Sequence, residues 1–312
     1  MTVTRLSRSP GAVFRRLVAR QCVAMPGAYN ALTARQIAAA GFKAVYVSGA
    51  GLANATAGVP DIGLLSLEDA ARLAAYVAAA VRVPVIADAD TGFDDVAKTV
   101  RAFEAAGLAG LHVEDQVFPK RCGHLAGKEV VSEREMVRKI RAAVRARRDP
   151  EFVIIARTDA RAVEGFDAAV ERAKAYLAAG ADAIFTEALE TADEFAAFAK
   201  AAGAPRVKLM ANMTEFGRGP LLSVDELAAM GYRMVIFPQT ALRAGMKAQA
   251  ACLSELARRG SQRAVLERMQ TRAELYALLE YDPAKEWRPV ASAPTQKAGR
   301  KKKTGRPTNP VT

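Results

Sequence analysis

Acidic side chains stand at the ends of short apolar runs in this sequence, and they indicate which chemistry the chain could perform. Asp88 and Asp90 end one run, and Glu114 ends the next. If the strand continues through Asp90, both aspartates project from one face, and converging carboxylates suit Mg²⁺ or Mn²⁺. The alternative is structural, with Asp90 in a turn and Asp88 in a buried salt bridge. The position of these acids at run ends favours the metal site.

A second group of reactive residue types follows Glu114. Cys122 comes after Lys120 and Arg121 and before His124, one of only two histidines in the chain. Neighbouring cations lower the pKa of a thiol, and an adjacent glycine lets the backbone approach a ligand closely. We therefore predict a reactive cysteine in a loop. The alternative is an exposed loop with an inert thiol.

Further polar residues follow the later apolar runs. Arg157 ends one run, and its guanidinium fork matches a carboxylate ligand. Glu187 and Asn212 follow the next two runs, with Thr214 close behind. His112 lies inside a run and is predicted to be a hydrogen-bonded core residue. Charges after four consecutive runs would be costly to bury without partners, so we expect an active site there.

The apolar runs alternate with helical patterns rich in Ala and Leu, and this alternation indicates the fold. The predicted strands are 22–25, 44–47, 84–88, 110–114, 152–157, 183–186, 207–211 and 234–237. Runs that are apolar on both faces belong to a parallel sheet covered by helices. Eight such units in roughly 240 residues predict an α/β fold, a (β/α)₈ TIM-type barrel, whose sites lie at the carboxyl ends of the strands. A doubly wound open sheet is the alternative.

The helical patterns extend beyond the last strand. Glycines at positions 41, 107, 180 and 231 are predicted to end helices. Helices are predicted over 240–258 and 261–279, and the second, which a minimal barrel does not need, is expected to pack on a partner subunit. We predict one barrel domain over 1–288 and a disordered basic tail over 289–312.

The charge of this 312-residue chain is concentrated at its two ends. The formal net charge is +12, with seven basic and no acidic residues in 1–60 and six basic residues in 297–306. A nucleic-acid-binding domain carries its charge on a folded face, so nucleic acid is not expected as a partner, and binding through the termini is a remote alternative. The acid-free start also resembles a transit peptide, but a helical pattern from position 29 leaves little room for cleavage.

Cysteine usage and hydropathy complete the class assignment. The three cysteines are too few and too scattered for a disulfide framework, which favours a reducing compartment. No apolar stretch reaches the roughly 18 residues of a membrane-spanning helix. We therefore expect a cytoplasmic enzyme.

The motifs together resemble the isocitrate lyase/phosphoenolpyruvate mutase superfamily, and within it most closely the 2-methylisocitrate lyases. They are Tyr46-Val-Ser-Gly49, Pro60-Asp61-Ile-Gly63, Asp88-Ala-Asp90-Thr-Gly-Phe93, His112-Val-Glu-Asp-Gln116, Lys120-Arg-Cys-Gly-His124, Ala156-Arg-Thr-Asp-Ala160, Ala211-Asn-Met-Thr-Glu-Phe-Gly217 and Met269-Gln-Thr-Arg272. The resemblance covers the chain from about Ser9 to about Trp287. The segment around Cys122 is specific to the lyase branch.

The resemblance implies a Mg²⁺-dependent carbon–carbon lyase that splits 2-methylisocitrate into pyruvate and succinate. It implies a metal site at Asp88 and Asp90 with Asp61 and Glu114 in the water shell. The implied catalytic residues are Tyr46, Lys120, Cys122, His124 and Arg157, with Cys122 delivering a proton to carbon. The implied substrate-binding residues are Ser48, Gly49, Ala50, Gly123, Arg157, Glu187, Asn212, Thr214, Arg243 and Arg272.

Two points about the resemblance stay open. Many relatives have a glycine where this chain has Ala50, which crowds the carboxylate position modestly. Superfamily members also act on dimethylmalate or oxaloacetate, so a small carboxylic acid is the expected substrate and its identity is a choice among these. A homo-oligomer, tetramer or dimer, is implied as well.

Overall fold

A closed barrel of eight parallel strands forms the centre of the protein in the computed structural model, which describes residues 9–120 and 127–287. The strands are β1 (Val23–Ala28), β2 (Val45–Val47), β3 (Val85–Asp88), β4 (Gly110–Glu114), β5 (Val153–Thr158), β6 (Ala183–Thr186), β7 (Lys208–Asn212) and β8 (Met234–Phe237). Each strand pairs in parallel with the next, and β8 pairs with β1 to close the ring. The predicted (β/α)₈ barrel is confirmed, and the open sheet is wrong.

Helices connect the strands and cover the barrel. They are α1 (Pro10–Arg20), α2 (Ala31–Ala39), α3 (Gly49–Leu52), α4 (Leu67–Ala80), α5 (Val96–Ala105), α6 (Glu133–Ala146), α7 (Phe166–Ala178), α8 (Ala192–Ala202), α9 (Val224–Ala229), α10 (Thr240–Arg259) and α11 (Arg272–Leu278). The four predicted helix-ending glycines have φ angles of 92°, 85°, 104° and 99°, a region where a side chain would be strained. No helix in the described part of the chain is both long and apolar enough to cross a membrane.

Side chains alternate along each strand between the barrel interior and the helix layer. On β2, Tyr46 points inward and packs with Ile86 and Phe185, whereas Val45 and Val47 pack against the helices. This period of two follows from the pleat of a strand. It brings the last inward residue of each strand to the carboxyl end of the barrel.

Helix α1 closes the opposite end. Its Phe14 is fully buried among interior side chains near the amino ends of the strands. Gly11 permits this approach, because a Cβ there would lie 2.2 Å from the carbonyl oxygen of Glu151. Arg15 adds an ion pair of 2.8 Å to Asp182, just before β6. A ligand therefore has to approach from the carboxyl ends of the strands.

The C-terminal region differs from the prediction. The second predicted helix, over 261–279, is wrong as a single helix, because Arg263–Arg268 forms a 3₁₀ helix and α11 follows separately. Thr271 has extended backbone and forms a capping box with Glu274, which starts a new helix there. The Thr-x-x-Glu spacing was the sequence signal for this break. The predicted basic tail over 289–312 lies outside the described residues.

Candidate active site

Polar side chains from five successive strands meet at the carboxyl end of the barrel. They are Asp88 on β3, Glu114 on β4, Arg157 on β5, Glu187 just after β6 and Asn212 on β7. In the sheet register Asp88 lies beside His112, and Glu114 lies beside Arg157. The structure thus brings together the residues that the sequence predicted to converge.

A tight turn, and not a continued strand, places the two aspartates. β3 ends at Asp88, and Asp90 has a positive φ of 49°. The backbone N–H of Asp90 donates to Asp88 Oδ1 at 3.0 Å, and Gly92 N donates to Ala89 O at 2.8 Å. The strand therefore ends at Asp88 as predicted, and the condition that it continues through Asp90 is not met, because aspartate tolerates the left-handed region and hydrogen-bonds to its own turn. Asp90 therefore lies in a turn, as the structural alternative predicted, and the carboxylates of Asp88 and Asp90 still converge.

Lys120 lies within this group of carboxylates. Its Nζ is 2.6 Å from Asp61 Oδ1 and forms a second ion pair with Asp90. The lysine is buried, with 4% of its side chain exposed. Burial opposes its charge, but the surrounding carboxylates, Asp90 and Glu114 foremost, hold its pKa well above the usual value. Lys120 is therefore a fixed positive charge at the site.

The carboxylates respond differently to burial. Although burial favours the neutral acid, His112 and Lys120 lower the pKa of Asp88 to about 2. Burial raises the pKa of Asp90 to about 6, with Lys120 opposing the rise. Burial also raises the pKa of Glu114 well above its usual value. The carboxyl groups of the cluster therefore outnumber its cations, and burial favours the neutral forms of Asp90 and Glu114.

Arg157 is the cation of the second half of the site. Its Nε lies 2.9 Å from Asp159 Oδ2 and 3.2 Å from Glu114 Oε2, and its Nη1 lies 3.3 Å from Glu187 Oε2. The guanidinium carbon sits 5.1 Å from the centre of the Phe185 ring, within cation–π range. Three carboxylates and one ring therefore hold this side chain in one orientation.

Two of these three carboxylates have further partners. Asp159 Oδ1 lies 2.7 Å from Nζ of Lys128. Glu187 accepts from Asn212 Nδ2 at 3.2 Å and from the N–H of Ala188 at 2.9 Å. Glu114 differs, because its Oε1 is buried and has no hydrogen-bond partner among the described residues. That oxygen is free to take a ligand.

Sequence reasoning assigned no role to Asp159 or Lys128. Asp159 was visible as part of a polar strand end. Lys128 gave no signal, because it lies in a loop without periodicity.

The segment after β2 provides a close backbone approach to the acids. Ser48 caps α3 by accepting from the N–H of Gly51 at 3.0 Å. A Cβ on Gly49 would lie 2.9 Å from Asp88 Oδ2. A side chain at position 49 would therefore require Asp88 or the backbone to shift. Ala50 follows Gly49 on the same short helix.

Tyr46 and His112 lie deeper in the barrel. The Tyr46 hydroxyl is 2.8 Å from His112 Nε2, which is 3.6 Å from Asp88 Oδ1. Burial, and then Asp88, raise the pKa of Tyr46 well above its usual value. Burial lowers the pKa of His112 to about 4. Both side chains are therefore neutral near pH 7, and His112 is the hydrogen-bonded core residue that the sequence predicted.

The remaining predicted residues are placed less centrally. Thr214 lines a small cavity with Glu187 and Asn212. Arg243, in the first turn of α10, has its Nε 3.6 Å from Glu215 Oε2 and is half exposed. Arg272 begins α11 and is exposed, and α11 lies beside α2 on the flank of the barrel, so this chain does not bring Arg272 into the cluster. Cys122, Gly123 and His124 lie outside the described residues.

The donor set suits a hard cation held largely through water. Within 9–120 and 127–287, no three His, Cys, Asp or Glu side chains converge closely enough to form a complete ligand set. Mg²⁺ typically keeps several waters and uses one or two carboxylates together with substrate oxygens. The surplus of buried carboxyl groups over cations and the unpartnered Glu114 oxygen agree with that mode of binding. The residues present therefore fit a divalent cation.

A closed (β/α)₈ barrel with acidic and basic side chains converging at its carboxyl end is typical of an enzyme. Residues 14–257 match the phosphoenolpyruvate phosphomutase family, and the chain belongs to this family. A probable 2-methylisocitrate lyase of Corynebacterium glutamicum is 54% identical over 269 residues, which cover 85% of this chain and 87% of that protein. A 2-methylisocitrate lyase of Aeropyrum pernix is 49% identical over 276 residues, covering 87% and 88%.

Solved structures agree with this assignment. A 2,3-dimethylmalate lyase of the same superfamily has a TM-score of 0.82 at 35% identity, covering 87% of this chain and 92% of that one. A phosphonopyruvate hydrolase in complex with oxalate and Mg²⁺ has a TM-score of 0.79 at 33% identity, covering 88% and 95%. The resemblance drawn from the sequence motifs is confirmed.

Proposed function

We propose that this protein is a carbon–carbon lyase that cleaves 2-methylisocitrate into pyruvate and succinate. The observation that carries the proposal is the buried group of Asp88, Asp90, Glu114 and Arg157 at the open end of the barrel. A 2-hydroxy acid with several carboxylates needs such a combination of a cation site and a guanidinium. The choice of acid is supported by the 2-methylisocitrate lyases that are 49% and 54% identical.

The cation site fits Mg²⁺, with Mn²⁺ as an alternative of the same preference for oxygen ligands. Asp88 and Asp90 would hold the ion, with Asp61 and Glu114 contacting its water shell. When bound, the ion supplies Lewis-acid polarisation of the 2-hydroxyl oxygen and of the ketone that replaces it. A phosphonopyruvate hydrolase of this fold has been solved with Mg²⁺, which supports the choice.

The side chains of the site have separate roles in substrate binding and proton transfer. Arg157 binds a substrate carboxylate and stabilises negative charge that develops on the succinate half during cleavage. Tyr46 is protonated, because burial and Asp88 raise its pKa, so it acts as a hydrogen-bond donor in the resting site. The hydroxyl proton of the substrate then goes to a carboxylate. Cys122 and His124, assigned from the sequence, would return a proton to carbon after cleavage.

Pyruvate release from 2-methylisocitrate tests this function. The assay is run with Mg²⁺ and with EDTA, on the wild-type protein and on Asp88→Asn and Cys122→Ser. Asp94→Asn is the matched control, because Asp94 is exposed and only four residues beyond Asp90. We expect turnover in the wild type and in the control, and loss with EDTA and in both other variants. Turnover of only 2,3-dimethylmalate or oxaloacetate would contradict the proposed substrate and leave the assignment of the active site in place.

We also propose that the protein is a homo-oligomer. Helix α10 exposes Met246, Leu253 and Leu256. Sedimentation of the full chain would show a dimer or a tetramer if the proposal holds, and a monomer would contradict it. A cytoplasmic location stays a prediction that fractionation of cells can test.

A further inference from the structure

A second lysine is buried at the site, on the side away from Asp90. Lys128 Nζ lies 2.7 Å from Asp159 Oδ1, with 2% of the lysine side chain and none of the aspartate side chain exposed. A buried pair of this kind has a large desolvation cost, and loss of one partner strands the other charge. Its position next to the candidate active site points to a function in that site.

Asp159 connects this lysine to Arg157. Its carboxylate takes two hydrogen bonds from the guanidinium, Nε to Oδ2 at 2.9 Å and Nη2 to Oδ1 at 3.2 Å. Asp159 Oδ1 therefore accepts hydrogen bonds from both Lys128 and Arg157. Because both cations contact this one oxygen, the effect of the lysine on the guanidinium passes through it.

The charges around Arg157 explain why a lysine is needed. Three carboxylates contact the guanidinium, and an anionic substrate must compete with all of them. Glu187 is shared with Asn212, and Glu114 faces the cation site. Lys128 is the partner that offsets the charge of Asp159. Without it, Asp159 would draw the guanidinium more strongly and repel the substrate carboxylate.

We propose that Lys128 is a positioning residue that acts through Asp159 to keep Arg157 oriented toward the substrate carboxylate and available to it. The inference rests on the proposed function for the identity of the substrate. The geometric part of the inference is independent of the proposed function, because the same arrangement would bind the carboxylate of any acid of this class.

The backbone around Lys128 is held independently of its side chain. Val117 N donates to Glu129 O at 2.9 Å, Val131 N donates to Asp115 O at 2.8 Å, and residues 116 and 130 form an antiparallel bridge. Replacing the lysine side chain therefore leaves the chain path in place. A variant at this position is therefore expected to change the charge beside Asp159 more than the path of the segment.

The test compares Lys128→Met, Lys128→Arg, Asp159→Asn and the double variant Lys128→Met/Asp159→Asn. Lys139→Met is the matched control, since Lys139 is a half-buried lysine on α6 whose charge acts on Glu114 and Asp115 rather than on Asp159. We expect Lys128→Met to raise KM for 2-methylisocitrate about tenfold with kcat changed less than threefold. The variant weakens the binding of the substrate carboxylate by Arg157 and leaves the chemical step unchanged. Lys128→Arg restores KM to within about threefold, because it keeps the charge.

The double variant separates positioning from general destabilisation. In the Asp159→Asn background, Lys128→Met is expected to change KM less than about twofold, because its route of action is already removed. Additive effects of the two substitutions on KM would overturn the proposal. So would an equal rise of KM in Lys139→Met.

A crystal structure of Lys128→Met does not depend on the substrate. We expect the Arg157 guanidinium to be displaced toward Asp159, with its contact to Glu187 lengthened beyond hydrogen-bond distance. An unmoved guanidinium would overturn the proposal even if the enzyme acts on another acid. Absence of pyruvate from the wild type together with a displaced guanidinium would reject the proposed substrate and leave this inference standing.

Discussion

The Tyr46 hydroxyl and His112 Nε2 lie 2.8 Å apart across the interior of the barrel, from β2 to β4. His112 Nδ1 is buried and has no partner among the described residues. A buried N–H without an acceptor is costlier than a bare lone pair, so the single proton of the neutral ring belongs on Nε2. His112 therefore donates to the Tyr46 oxygen, and the Tyr46 proton stays available for Asp88 or a substrate.

The neutrality of His112 predicts how folding stability depends on pH. Burial lowers its pKa from 6.5 to about 4, so the unfolded chain binds a proton that the folded chain does not. Stability from this group is complete above pH 6.5 and is lost as the pH falls from there toward 4. Between pH 7.5 and pH 5 we expect a loss of about 2 kcal/mol that is absent in His112→Gln. Urea unfolding of both proteins at the two pH values measures it, and equal losses would contradict the neutral ring.

Removal of the Tyr46 hydroxyl separates its chemical function from its packing. Tyr46→Phe keeps the ring inside the barrel but leaves His112 Nε2–H without its acceptor. We expect a loss of about 1–3 kcal/mol in the free energy of unfolding. We expect kcat to fall by at least about 100-fold if the hydroxyl donates to the reacting substrate. A variant with unchanged kcat would restrict Tyr46 to orienting His112.

Gly49 and Ala50 form a matched pair for testing the backbone approach to Asp88. Gly49→Ala would place a methyl group 2.9 Å from Asp88 Oδ2, so either the carboxylate or the backbone has to move. We expect kcat/KM to fall about 100-fold with a small change in stability, because a shift of about 1 Å in a reacting group has that effect. Ala50→Gly is expected to retain activity. Comparable losses in both variants would indicate that helix α3, and not the contact with Asp88, is responsible.

The sequence predicted the parts of the fold and site that depend on local pattern. The ends of β4, β6 and β8 were predicted to the residue, because apolar runs and flanking glycines mark them. Convergence of Glu114, Arg157 and Glu187 followed from their positions at strand ends. Parallel strands in a barrel place such residues on one rim whatever the loops do.

Features that depend on contacts between distant segments were not predicted. The ion pair between Lys120 and Asp61 joins residues far apart in the chain, and neither carries a local pattern for it. Nothing in the sequence places Lys128 beside Asp159, because both pairing and burial arise only when the loop packs on β5. The turn at Asp90 was weighed and set aside, although its φ of 49° is one that aspartate adopts readily.

Asp115 is an acid at a strand end that supports structure. Its carboxylate accepts from Thr158 Oγ1 at 2.7 Å, Tyr176 OH at 2.8 Å and the N–H of Asp159 at 2.8 Å. An amide has one acceptor oxygen in place of two. We expect Asp115→Asn to reduce the free energy of unfolding by about 3 kcal/mol. Urea unfolding and kcat of the same preparation check it, and a fall in kcat without loss of stability would move Asp115 into the active site.

The effect of Glu114→Gln on Tm is expected to depend on whether Mg²⁺ is present. Burial raises its pKa well above 4.5 in the folded state, so ionisation at pH 8 opposes folding, and the contribution of this group falls as the pH rises above 4.5. Glu114→Gln mimics the neutral acid, so in EDTA we expect its Tm at pH 8 to equal or exceed that of the wild type.

Addition of Mg²⁺ is expected to stabilise the wild type more than Glu114→Gln. Binding to the folded state raises Tm by an amount that grows with the logarithm of the affinity, and the variant lacks one carboxylate of the proposed cation site. We expect a Mg²⁺-induced rise in Tm for the wild type and for Asp94→Asn, and a rise less than half as large for Glu114→Gln. Thermal unfolding monitored by circular dichroism, with Ca²⁺ as a comparison ion, measures each shift. Equal shifts in the wild type and Glu114→Gln would show that the unpartnered Glu114 oxygen does not take part in holding the cation.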